Sequence, residues 1–266
     1  MNMIQRIALA GLTLVATALS APAQGKGKDV DPFDVADSLP GPEDPRPKML
    51  RVQVEFIDVA HSTLTALLSD EKLDSDTKIR NKITELIKND EARILETQIA
   101  VANPGQKATT ESIEEYIYPT EYEPAELPNE INVTLEGKEE IGRDLATGPT
   151  PTAFETRNLG STLEIEPALS HDHKIVELRF APEIVKHVRN EPWATWKNER
   201  GKSDITMPIM FTMRVSTGVT VEVGAYRLAA ALSPMGKDGY PDFDRKAMVF
   251  VKCDVIPVGA TPAKKP

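Results

Sequence analysis

Cys253 is the single thiol of this sequence, so no internal disulfide holds the chain together and its order has to come from packing or from assembly. Aromatic residues make up only 5% of the 266 positions, and Trp193 and Trp196 are the whole tryptophan content. Basic side chains are in deficit: 31 Lys and Arg against 41 Asp and Glu give a formal charge of −10. A chain this acidic is a poor partner for nucleic acid. Beyond the first twenty or so residues no long apolar run occurs, so no later membrane helix is expected, and any entry into a membrane has to be made by strands. A Gly-rich phosphate loop, a Ser nucleophile elbow and a Cys–His pairing are also missing, which argues against an enzyme and against a cofactor.

What is there begins with an export signal. Arg6 is the only charged side chain of residues 1–23, and residues 7–19 are an unbroken run of apolar and small side chains. That run falls short of the ~20 apolar residues that span a bilayer. Ala21, Pro22 and Ala23 follow it at once with the small-x-small pattern read by signal peptidase. Cleavage after Ala23 is the expectation, against the competing reading of an uncleaved anchor, and no cysteine follows to carry a lipid. Removal of residues 1–23 takes away Arg6 and no acid, leaving 30 basic against 41 acidic side chains and a charge of −11.

Residues 24–48 carry Pro32, Pro40, Pro42, Pro45 and Pro47 among acids and glycines, and read as a disordered acidic linker. Residues 257–266 repeat that composition and read as a loose tail. Between them, 49–256 reads as one mainly β (α+β) domain. Leu50, Val52, Val54 and Phe56 alternate with polar neighbours as a half-buried strand. A short helix over 62–68 follows, and then a second whose apolar face is Ile79, Ile83, Leu86 and Ile87, capped by Ser75 or Asp76. Strands over 93–101 and 107–118, joined across Asn103, Pro104 and Gly105, read as a hairpin beside that helix.

Residues 119–153 are acidic and rich in proline and read as a long loop, with at most a short strand near 131–135. Leu159, Leu163, Ile165 and Leu169 then mark one face of a strand over 154–169, which turns at His171, Asp172 and His173 into a strand over 175–188. Trp193 and Trp196 fall in a polar loop, where they are candidates for a membrane interface or for ordinary packing against the sheet. Residues 205–232 read as two strands or one bent strand, interrupted by Gly218 and Gly224, and 248–256 as the closing strand. His171 and His173 around Asp172 are of the type that binds zinc, but no further ligand is predictable and a solvated turn is the simpler account, so no metal is expected. Cys253 alternates with Val251 and Val255 and reads as a small buried residue.

Several stretches resemble the C-terminal domain of the bacterial secretins, the ring-forming channels of type II and type III secretion. LRVQVEFIDV (50–59) is similar to its opening strand, and LIKNDEARILETQIAVANPGQKA (86–108) to its helix and the strand that runs into an N-x-G-Q-x-A turn containing Gly105; IYPTEYEP (117–124) continues that match. PTAFETRNLGSTLEIEPALS (151–170) followed by KIVELRFAPEIV (174–185) resembles the pattern G-x-x-L-x-V-x-P, turn, strand ending x-P-E, with Gly160, Leu163, Pro167 and Pro182 at its fixed positions. FTMRVSTGVTVEVGAYRLAAAL (211–232), with Gly218 and Gly224, and MVFVKCDVIPV (248–258) resemble the last two elements. The sequence departs from the family in three places. Residues 24–48 stand where family members carry small periplasmic domains, SPMGKDGYPDFDRKA (233–247) stands where they carry V-P-x-L-G-x-x-P-x-x-G-x-x-F, and the turn at Val223, Gly224 and Ala225 lacks their acidic residue.

The resemblance implies long antiparallel hairpins with one or two helices packed on them, completing a barrel in the outer membrane by homo-oligomerisation. It implies a part in protein secretion, with the chain itself as first partner and a full-length secretin or other secretion machinery as a further one. The competing function is a periplasmic relative that keeps the fold without a pore and acts as an accessory. Location follows either way: exported, in the outer membrane or the periplasm.

Overall fold

The computed structural model describes residues 46–126, 147–198 and 201–259. The expected leader, nearly all of the acidic linker, the strand near 131–135 and the tail beyond Gly259 lie outside the described residues. The elements run β1 (Lys48–Ala60), α1 (His61–Ser69), α2 (Asp76–Lys88), β2 (Ala92–Ala102), β3 (Ala108–Glu123), β4 (Thr150–Leu169), β5 (Ile175–Asn198), β6 (Gly201–Arg214), β7 (Thr217–Glu222), β8 (Tyr226–Leu232) and β9 (Arg245–Pro257). Every strand pairing among them is antiparallel.

They build two sheets. The first has the order β2-β1-β9-β8, and the second β3-β4-β5-β6, with β7 also on β5. Alternation along β1 explains how the sheets pack. Leu50, Val52, Val54 and Phe56 are fully buried and meet Leu163, Ile165, Val176, Leu178, Phe180, Val249, Val251 and Cys253 in the core between the sheets. Ile57 and Val59 lie on the opposite face by the same alternation, which β1 keeps without a break while β2 takes up an extra residue, Leu95, opposite Phe56 and Ile57. There they join Leu64 and Leu67 of α1, Ile79 and Ile83 of α2, and Met248 and Phe250 of β9 in a second core beneath the helices. Each fully buried aliphatic or Phe side chain contributes about 1.5–3 kcal/mol to this three-layer packing.

The helix α2 starts where its cap dictates. Ser75 is extended and its hydroxyl accepts from the Lys78 N–H at 3.4 Å, so of the two expected caps it is Ser75 that serves. Leu86 and Ile87, expected in the core with Ile79 and Ile83, are only half-buried against it. The helix also presents a charge to the sheet. Arg80 Nε lies 2.6 Å from Glu55 Oε2 with both side chains almost enclosed, and its guanidinium stands 5.4 Å from the Tyr226 ring centroid.

The expected hairpin of β2 with β3 is not formed. β2 pairs with β1, Ala102 opposite Leu50, while β3 pairs with β4, Ala108 opposite Ile165. Asn103, Pro104 and Gly105 carry the chain from one sheet to the other, and the Gly105 N–H donates to the Pro167 carbonyl at 2.7 Å. Alternation marks a strand without naming its partner, and a short turn serves a corner between stacked sheets as readily as a hairpin. The return crossing lies at Gly224, whose N–H donates to the Cys253 carbonyl at 2.8 Å. Gly218 interrupts nothing. It lies within β7, and the break falls at Val215 and Ser216, so 201–232 holds three strands.

Candidate functional site

The features that set this chain apart from a self-contained β sandwich are the ends of its second sheet. Strand extends into both stretches read from sequence as loop. β3 continues through Pro119 to Glu123 and β4 begins at Thr150, so 119–123 and 150–153 are paired strand. Proline hid this, because it reads as a breaker, yet Pro119 lies on an outer strand, where a missing N–H breaks no ladder bond on the open side. β5 likewise runs on to Asn198, so Trp193 and Trp196 are in strand, not in a loop. Trp193 is the extra residue of a bulge between Pro192 and Ala194 and is 78% exposed, while Trp196, opposite Ser203, is half-buried against Gly148.

The result is two ribbons of unequal company. β4 pairs with β5 only from Gly160–Val185 to Leu169–Val176. Beyond Gly160 the β3–β4 ribbon continues to Thr150, and beyond Val185 the β5–β6 ribbon continues to the pair Asn198–Gly201. Outward, β3 and β6 close the sheet order on its two sides, and no described strand pairs with their outer edges. The β3 edge is acidic: Glu111, Glu114, Glu115, Glu121 and Glu123 are all exposed, and the strand holds no Lys or Arg. The β6 edge carries Lys202 and Arg214 with Asp204. Apolar side chains lie bare on both ribbons: Ile117 at 62%, Phe154 at 57%, Trp193 at 78% and Met207 at 48% exposure.

The first sheet is finished differently at β8. The Asp76 carboxylate accepts the Leu228 N–H at 3.1 Å and the Thr77 hydroxyl accepts the Tyr226 N–H at 3.0 Å, so the first turn of α2 fills the place of a neighbouring strand. Such side-chain cover blunts an edge against further pairing.

The structure places the seven motif positions in pairs and corners. Gly105 is bonded to Pro167, Leu163 stands opposite Pro182, Gly160 is opposite Val185 where the ribbons part, Gly218 is opposite Arg179, and Gly224 sits at the return crossing. Gly105, Pro167 and Gly218 line one shallow groove with Glu166 and Arg179. His171, Asp172 and His173 form the turn between β4 and β5. The Asp172 carboxylate accepts from the Ser170 hydroxyl at 2.7 Å and from the Lys174 N–H at 3.2 Å, and these bonds hold it below the usual carboxylate range. Among the described residues no group of three His, Cys, Asp or Glu side chains is gathered as a metal would require. Cys253 is enclosed in the core, and burial, with the Asp254 charge beside it, pushes its thiol up to about 12. The stretch 233–244, where the family signature is absent, folds onto the β5–β6 ribbon: Arg189 donates to the Tyr240 hydroxyl at 3.0 Å and lies 5.2 Å from its ring centroid. No helix among the described residues is long and apolar enough to cross a membrane.

The solved chains this protein is similar to are secretins. The type II secretion system secretin GspD of E. coli matches at 11% identity and a TM-score of 0.37 over 79% of this chain and 50% of that one. The secretin InvG of the Salmonella type III secretion injectisome matches at 10% identity and 0.37 over 81% and 65%. Aeromonas hydrophila ExeD matches at 12% and 0.39 over 80% and 49%. The chain thus spans between about half and two thirds of the length of these secretins. No family model and no curated protein matches the sequence.

Proposed function

We propose that this protein is a secretin-like component of a protein-secretion apparatus, exported through its leader and assembled from identical copies into a ring in the outer membrane. The observation that carries the reading is the second sheet with two long outer edges, β3 of 16 residues and β6 of 14, that no described strand of the chain pairs. Unpaired edges of that length invite addition of further strands. Lipid tolerates spanning strands only in a closed wall. A cyclic arrangement in which β3 of one copy meets β6 of the next closes the wall with one repeated contact. The acidic row of β3 disfavours β3 against β3, whereas β6 carries Lys202 and Arg214, paired in the same copy with Asp204 and Glu183, and presents no such row. Trp193, Phe154, Ile117 and Met207 are the exposed apolar side chains available to lipid, and Trp193 is the stronger candidate for the interface of the two tryptophans.

The order of the sequence motifs supports the same reading, and the functional class it implies is transport, not catalysis. Fractionation tests it. The processed chain is expected to sediment with outer membranes and to stay there through a wash in concentrated salt. Release into the periplasmic fraction would remove the pore and leave the accessory role.

A further inference from the structure

We infer that the two ribbons form a clasp, shut in a single copy, that opens about Gly160 before the second sheet can join a wall. The inference rests on the self-assembly reading above. In the order β3-β4-β5, β4 separates β3 from β5, so side chains on those two strands stand about 10 Å apart in a continuous sheet. Yet the Tyr116 ring of β3 lies 5.0 Å from the His187 ring of β5, nearly parallel at 22°. The Tyr116 hydroxyl also donates to Asn190 Oδ1 at 3.0 Å, the same oxygen that meets His187 Nε2 at 2.8 Å. Such contacts form only when the ribbons have turned toward each other. Further along, the Ser203 hydroxyl of β6 donates to the Pro149 carbonyl at 2.7 Å and Trp196 packs over Gly148.

The hinge falls at the last residue of β4 that pairs with β5. Gly160 has φ +121°, a backbone that side chains other than glycine's rarely adopt, and a Cβ there would stand 2.2 Å from the Ser112 carbonyl of β3. The fold-over leaves residues 150–159 of β4 and 186–198 of β5 without ladder partners on their facing sides. Turning the β3–β4 ribbon about Gly160 brings those edges into register and continues the four-stranded sheet by about ten residues. That is the ~9–11 residues a tilted strand needs to cross a hydrocarbon core. In the shut clasp two of the four strand edges of the ribbons stay unpaired with each other until a neighbour or a lipid surface is met.

The test uses the processed chain with Tyr116→Cys and His187→Cys, bridged by a short bifunctional maleimide; Cys253 is buried and its thiol stays protonated. The bridged protein is expected to lose assembly on addition of phospholipid vesicles, while the unbridged double variant assembles at least as fast as the unaltered chain. In single copies, Tyr116→Ala is expected to lower amide exchange in 150–159 and 186–198 by about tenfold, as the released edges pair with each other, and leave 160–169 unchanged. His187→Ala should do the same, which guards against a folding defect peculiar to one variant. Assembly of the bridged protein at the unaltered rate, or unchanged exchange in both single variants, overturns the clasp. If the unaltered chain fails to assemble while exchange falls as stated, the clasp stands and the assembly reading falls.

Discussion

Arg80 and Glu55 form the charge pair whose disruption should be felt most. Both are nearly enclosed, and removing one leaves the other buried and uncompensated, which costs about 3–5 kcal/mol. Arg80→Ala is therefore expected to lower the urea midpoint sharply, and the double variant with Glu55→Gln to recover much of the loss; additive losses would show the pair to be uncoupled. Nothing in the sequence announced this pair, because Glu55 sat in the polar half of an alternating strand and Arg80 on the polar half of an amphipathic helix. The signal missed was that the polar face of β1 is covered by α2, which is a tertiary fact. Cys253 was legible, since its neighbours Val251 and Val255 fixed its face. Its folded thiol titrates near 12, above the value near 9 of an exposed thiol, so the folded state holds a proton that the unfolded chain gives up. Stability contributed by the protonated thiol is complete below pH ~9 and declines as pH rises toward ~12. Maleimide should leave the folded protein unlabelled at pH 8 and label it on addition of urea; rapid labelling without urea would refute the burial.

At the scale of elements, α2 does two jobs from one end. Ser75 caps it, and Asp76 and Thr77 cover the β8 edge. Ser75→Ala is expected to cost about 1 kcal/mol in a chemical melt. Replacing Asp76 and Thr77 together by Ala should raise amide exchange at Leu228 and Tyr226 beyond what the cap variant causes, and equal protection in both would mean that the edge is covered by something else. Helix and strand positions were readable because each rests on a local period, 3.6 or 2, that burial imposes on the sequence. Partners and strand ends were not. Asn103, Pro104 and Gly105 look alike at a hairpin and at a corner between sheets, and the continuation of β3 through Pro119 and of β5 past Pro192 depends on which edge of the sheet those prolines face. The bulges of β5 near His187 and at Trp193 broke the alternation that would have extended the strand in a sequence reading.

For the molecule as a whole, the contrast between its two sheets is the informative quantity. The first is covered on both faces, ends at β2 on one side and is closed at β8 on the other by helix side chains, whereas the second ends on both sides in long strands that no described strand pairs on their outer edges. A contact between acidic β3 and basic β6 side chains of successive copies should form faster at low salt and more slowly as ionic strength rises, because exposed charges are screened within ~8–10 Å. Rates that ignore salt would argue for a contact made elsewhere. The sequence contained the motifs and the long strands of this arrangement, but an open edge is a property of what is absent beside a strand, and no single residue records it. The most direct test is the mass of the processed protein in mild detergent, measured by sedimentation after cysteines placed at Glu115 of β3 and Thr206 of β6 are allowed to oxidise. A closed multi-copy particle whose neighbours are covalently joined through those two positions is the predicted result. A monodisperse single copy, with both thiols free, would contradict the account.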